Sequence, residues 1–264
     1  MRAGRPVVER TCTSSESLAK CGKSPEPSAH GLAWFREMIP RCLEYAQSAK
    51  EQGHPIVGIM CEFTPRELIM AAGAVPVCMC GGSLGTVSAA EHDLPSNLCP
   101  LIKSTYGYHA LKSNPFMEMA DLIVAETTCD GKKKMYELLS QERPMYVLEL
   151  PQKSDSIQSM LFWEHELRRF RAALQERFEV EITDDLIRKA ICVMNRERRL
   201  RRQLAKVMEL DDPPITGRQL LDLRSSISGI SSDLKQYQHV LDWVRTQPGG
   251  GYADRTRVLL TGVP

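Results

Sequence analysis

Four short apolar runs, over 55–61, 74–80, 120–127 and 144–150, punctuate the first half of the chain. Each is too short for a helix and apolar at nearly every position, the pattern of a strand covered on both faces. The segments between them, 64–72, 100–113 and 132–141, repeat apolar residues at helical spacing. A helix over 31–51 precedes them, with Trp34, Phe35, Met38, Ile39, Cys42 and Tyr45 on its apolar side. Strands alternating with helices predict an α/β fold: a Rossmann-like parallel sheet domain over 31–151.

The pattern changes after residue 150. Long charged helices are predicted over 154–178, 183–209, 217–229 and 231–246, so 152–248 reads as a helical region. Pro248 and three glycines then break the chain. Residues 255–264 resemble the opening strand and glycine turn of a second α/β domain, which suggests a truncated or split product. The first 30 residues, rich in Ser, Pro and Gly, read as a mobile leader.

Composition narrows the function. Among 264 residues, 34 Lys and Arg balance 33 Asp and Glu, a net charge of +1, so no global field draws the chain to nucleic acid or membrane. The basic run 196–202 reads as a solvated helix face, without the interleaved aromatics of a nucleic-acid site. No apolar run approaches a membrane span, and the N-terminus has no signal-peptide core. Nine cysteines without an export signal point to a reducing, cytoplasmic setting, where thiols serve metals, redox chemistry or packing.

Three cysteines stand where a strand or turn gives way to a helix. Cys61 ends the first apolar run, and Thr64, Pro65 and Glu67 then offer an N-cap, a first-turn proline and a capping-box carboxylate. Cys99 directly precedes Pro100. Cys129 ends the third run, with Asp130 and Gly131 leading into a helix that opens with Lys132, Lys133 and Lys134. In an open α/β sheet ligands gather at the carboxyl ends of strands, where helix N-termini stabilise thiolates or an anionic metal–sulfur centre.

The spacings, 38 and 30 residues, match no short zinc motif. A thiolate-only donor set suits zinc or an iron–sulfur cluster, and three thiolates leave one position open for chemistry. Cys78 and Cys80 alternate along one strand and read as packing residues, as do Cys42 and Cys192 inside amphipathic helices; Cys12 and Cys21 fall in the leader. The three lysines either offset cluster charge, hold substrate phosphates or are solvated. Glu62 and Glu126 are read as proton carriers or as helix-capping and surface residues, and His109 as an ordinary helix-face residue.

The stretches CEFTPRELIMAAGAVPV, LPSNLCPLIKSTYGY and ADLIVAETTCDGKKKMYELL, with PPITGRQLLDLRSSI and LLTGVP further on, resemble the 2-hydroxyacyl-CoA dehydratase family, also called the 2-hydroxyglutaryl-CoA dehydratase D-component family, which includes the double-cubane-cluster reductases. The resemblance implies two Rossmann-like domains linked by helices, with Cys61, Cys99 and Cys129 as cluster ligands of the first. It implies a [4Fe–4S] cluster, or a double-cubane [8Fe–9S] cluster only where a second domain adds ligands. It also implies a hydro-lyase. A separate ATP-hydrolysing iron–sulfur activator injects an electron, and a ketyl radical on a CoA thioester then permits loss of water. Two alternatives stand beside it: a double-cubane-type, ATP-dependent reductase of small molecules, and a non-catalytic fragment or cluster-carrying partner subunit. A homo- or heterodimer is expected, with neither nucleic acid nor membrane as partner.

Overall fold

The computed structural model describes residues 31–259. The leader and the last five residues of the expected closing strand lie outside the described residues; 255–259 are irregular and exposed. The chain opens with α1 (Leu32–Arg36) and α2 (Met38–Glu51). The single helix expected there is broken at Glu37 because the ring of Pro40 opposes the carbonyl four residues earlier. Then follow β1 (Ile56–Ile59), α3 (Arg66–Ala71), β2 (Val75–Cys78), α4 (Val87–Ala90), α5 (Pro100–Ala110), α6 (Pro115–Met119), β3 (Leu122–Glu126), α7 (Asp130–Leu139) and β4 (Met145–Leu148). The helical part comprises α8 (Ile157–Phe178), α9 (Asp184–Lys206), α10 (Gly217–Asp222) and α11 (Ser231–Thr246).

The four strands pair in the order β2-β1-β3-β4, all parallel, as the apolar runs predict. Alternation sorts their side chains onto two cores. Ile56, Val77, Met79, Ile123 and Ala125 face α2, α5 and α7, and Val57, Ile59, Leu122, Val124 and Leu148 face α3 and α8. Gly58 on β1 leaves room for the Met79 side chain: a Cβ there would lie 2.2 Å from its sulfur. Helix α8 thus forms part of the sheet's cover, through Phe170 and Leu174. A third core joins α1, α9 and α11 around Tyr237, whose ring stacks on Phe35.

The helix expected over 217–229 stops at Asp222. Residues beyond it run back to the sheet, where Ile227 bridges Val77 and the Cys78 N–H donates to the Ser226 carbonyl at 2.7 Å. Pairing with the β2 edge satisfies backbone groups that edge would otherwise expose. Among the described residues, no helix is long and apolar enough to cross a membrane.

Candidate functional site

The sheet order fixes where chemistry can gather. The chain leaves β1 for β2 on one side and reaches β3 on the other, so the crevice beyond the carboxyl ends of β1 and β3 is the topological switch point. Cys61 lies two residues past the end of β1 and Cys129 three past the end of β3, so the two flank this crevice. Cys129 is the N-cap of α7, its sulfur accepting from the Lys132 N–H at 3.4 Å. Cys99 is the N-cap of α5, with Pro100 at the first helical position. The α5 and α7 turns are in contact. A Cβ on Gly131 would meet Leu98 at 2.7 Å and Ile102 at 2.9 Å, so the turn bearing Cys99 abuts the turn bearing Cys129. All three are free thiols, Cys61 half-buried and the others exposed. Among the described residues, no three Cys, His, Asp or Glu side chains close around one point as the ligands of a single ion do.

The surroundings differ from the capping arrangement expected after Cys61. Pro65, not Thr64, is the N-cap of α3, and no side chain caps that helix. Thr64 is instead buried, and its hydroxyl donates to Glu126 Oε1 at 2.5 Å. Glu67 pairs with Arg198 on α9 at 2.5 Å. Glu126, the last residue of β3, is wholly buried, and its other oxygen has no hydrogen-bond partner. Burial pushes its carboxyl above the usual range, against the opposing pull of Thr64, Lys132 and Arg66. Glu126 is therefore neither a helix cap nor a surface residue. Glu62 is exposed and pairs with Arg66 at 3.2 Å.

Tyr136 on α7 is not apparent from sequence. Its hydroxyl is buried without a partner, and burial, then Glu126, Cys61, Cys80 and Cys129, push its ionisation up. It thus faces the same group of acidic and sulfur side chains. Cys80, expected to be a packing residue, is exposed as a residue; its sulfur donates to the Met60 carbonyl at 2.8 Å, and desolvation of that sulfur pushes the thiol up to about 11. The sequence holds a signal: Gly81 and Gly82 follow Cys80 directly and break the strand pattern, placing Cys80 just past a strand end, as Cys61 and Cys129 are. Cys78 is half-buried, packed against the α8-side core and 3.7 Å from Arg66 Nη2, and Cys42 is buried, as expected of packing residues.

Of the three lysines, only Lys132 reaches the crevice, its Nζ donating to the Met60 carbonyl at 3.4 Å. Lys133 and Lys134 pair locally with Asp130 and Glu137. His109 is buried on α5 rather than lying on an open helix face, 3.4 Å from Glu142, and burial lowers its pKa. Arg196, Arg198, Arg199, Arg201 and Arg202 are exposed on α9, the solvated face expected. Beside the crevice, beyond the carboxyl ends of β3 and β4, lies an open pocket of about 650 Å³. Thr127, Lys133, Leu150, Gln158, Ser159 and Phe162 help line it.

The donor set fits a metal–sulfur centre in chemical type. Soft thiols of Cys61 and Cys129 flank the switch point, Cys99 and Cys129 are helix N-caps, and a buried carboxyl oxygen of Glu126 and the Tyr136 phenol have no hydrogen-bond partner. The family model for 2-hydroxyglutaryl-CoA dehydratase, D-component, matches residues 61–264. The Escherichia coli protein YjiM, whose name marks it as a candidate dehydratase subunit, is 41% identical over 221 residues, 81% of this chain and 57% of that protein. The beta chain of lactoyl-CoA dehydratase from Anaerotignum propionicum is 26% identical over 60% of this chain and 41% of its own length. A benzoyl-CoA reductase component of Thauera aromatica is 27% identical over 55% and 38%. The chain thus spans about half the length of the curated relatives it matches. With a match that begins at Cys61 and runs through the whole crevice, the chain belongs to the 2-hydroxyglutaryl-CoA dehydratase D-component family.

Proposed function

We propose that this chain is the iron–sulfur subunit of a 2-hydroxyacyl-CoA dehydratase-like enzyme, with Cys61, Cys99 and Cys129 as ligands of a [4Fe–4S] cluster. The observation that carries the reading is the position of Cys61 and Cys129 past the ends of the two central strands, in a chain of this family. What supports the reading is the chemistry of the thiols and their place at strand and helix ends, together with the family the chain belongs to. Bound there, such a cluster supplies one-electron chemistry and an open iron position for removing water from a CoA thioester.

The chain's own groups suit that setting. The Lys132 N–H on Cys129 Sγ and the Lys132 ammonium near Met60 offset thiolate charge at the N-terminus of α7. Glu126 is a buried acid, oriented by Thr64, that can keep its proton where a surface carboxyl would lose it. The open pocket at the ends of β3 and β4 offers mixed polar and apolar walls beside the thiols, and its Lys133 is a partner for acidic groups of a thioester ligand.

A separate ATP-hydrolysing activator and a second protein component belong to the same proposal. A double-cubane cluster would need ligands beyond these three. The likeness to a benzoyl-CoA reductase component favours one second reading, an ATP-dependent reductase on the same site. Iron and acid-labile sulfide per chain, measured on anaerobically purified protein, test the cofactor; zinc or no metal would refute it. With iron present, 2-hydroxyacyl-CoA thioesters, activator and ATP should yield enoyl-CoA. Reduction of a substrate without loss of water would favour the second reading.

A further inference from the structure

We propose that Cys61 and Cys80 are a disulfide-forming pair, a covalent modification site at the rim of the sheet that closes when Cys61 carries no cofactor. In the parallel β1–β2 ladder Ile59 lies opposite Cys78, and the Met79 N–H still donates to the Ile59 carbonyl at 3.0 Å. The paired register ends there, and Cys61 and Cys80 each lie two residues beyond it, at the same end of the two neighbouring strands. At the last paired position adjacent strands lie about 4.8 Å apart, inside the Cα separation of roughly 4.4–6.8 Å that a disulfide spans.

The side chain points the right way. Cys80 Sγ donates to the Met60 carbonyl at 2.8 Å, and that carbonyl carbon is bonded to the nitrogen of Cys61. The sulfur therefore lies over the peptide link leading to its proposed partner. Competing thiols are engaged elsewhere: Cys78 packs toward α8 against Arg66, and Cys129 caps α7. Both Cys61 and Cys80 leave surface open to solvent, so a small oxidant can reach them. The pairing rests on the adjacent strand ends and the Cys80–Met60 contact, and stands apart from the cluster assignment.

Hydrogen peroxide is a sufficient oxidant. One sulfur attacks its O–O bond; an S–O bond forms, and the departing hydroxide takes up the thiol proton as water. The second sulfur displaces the hydroxyl of this sulfenic acid; the S–S bond forms, and a second water leaves with the remaining thiol proton. Two electrons pass from the sulfurs to the peroxide, and a dithiol reverses the result. The bond would withdraw one candidate cluster thiol from use while shielding it from further oxidation.

The test uses the full chain, reduced, desalted, treated with hydrogen peroxide and alkylated with N-ethylmaleimide. Cleavage after Arg66 and Glu91 separates Cys61, the Cys78/Cys80 segment and Cys99. A dithiothreitol-sensitive cross-link should join the first two peptides. It should persist in Cys78→Ser and vanish in Cys80→Ser, where dimedone should instead trap a sulfenic acid on Cys61. A cross-link that survives Cys80→Ser, a Cys61 bond to Cys99 or Cys129, or full alkylation of Cys61 and Cys80 after peroxide would each overturn the inference. None of these readouts depends on iron content, so failure here and failure of the cluster reading are distinguishable.

Discussion

Gly107→Ala offers a sharp test of how the Cys99 helix is held. Inside a helix this change ordinarily stabilises by about 1 kcal/mol, since alanine is the better helix former. Here α5 runs hard against the turn before α4: an added Cβ would stand 1.8 Å from the Thr86 carbonyl oxygen and 3.0 Å from its Cβ. The obstacle is backbone, so no side-chain rotation relieves it, and α5 must retreat by an ångström or so. Overpacking of this kind costs about 1–3 kcal/mol, and backbone contact puts it near the upper end. Offset by helix propensity, the expected net loss is about 2 kcal/mol. With a urea dependence of about 2 kcal/mol per molar, the midpoint should fall by roughly 1 M. Gly82→Ala, where nothing lies within 4 Å of the new Cβ, is the control and should change stability by less than about 0.5 kcal/mol. Because Cys99 is the N-cap of α5, the shift should also lower iron uptake in anaerobic reconstitution. If Gly107→Ala matches or exceeds the parent in urea, the close packing of α5 on the Thr86 turn is wrong.

Other expectations follow from the same region. Cys61→Ala, Cys99→Ala and Cys129→Ala should each abolish the iron-dependent absorbance of anaerobically purified protein, while Cys78→Ala keeps it; equal loss at Cys78 would refute the division of ligands from packing residues. Thr64→Val removes the hydroxyl that donates to the buried Glu126 carboxyl and should cost about 1–3 kcal/mol at neutral pH in a denaturant titration, with no loss contradicting the bond. Burial raises the folded-state pKa of Glu126, so its proton favours the fold. That contribution is full below the unfolded value near 4.5 and is lost as pH rises from there through the folded pKa. Glu126→Gln should therefore flatten the decline of stability over that window, leaving the part due to Asp233, also raised by burial; an unchanged pH profile would show that Glu126 titrates normally.

Much of the fold is legible in the sequence because it is local. The four strands, the Pro100 start of α5 and the bounds of α11 follow from apolar period and capping chemistry carried by neighbouring residues. Misreadings arise where a distant partner outbids the local one. Thr64 has the sequence of an N-cap, yet its hydroxyl serves Glu126, 62 residues away, because a buried carboxyl without a donor costs more than an uncapped surface helix. The segment after Asp222 continues a helical pattern but straightens to pair with the β2 edge. Cys80 alternates like a packing residue and escapes burial only because the ladder ends one residue before it.

By itself, then, the order of residues determined which segments become strands and that each of three thiols caps or precedes a helix; dihedral preference, side-chain period and capping all act within a few positions. What only the tertiary structure decided was adjacency: that β1 lies between β2 and β3, that the turns of Cys99 and Cys129 touch through Leu98 and Gly131, and that Tyr136 and Glu126 lie buried in one neighbourhood. Such relations depend on register and packing between segments tens of residues apart, where the burial of two whole apolar faces outweighs any single local preference.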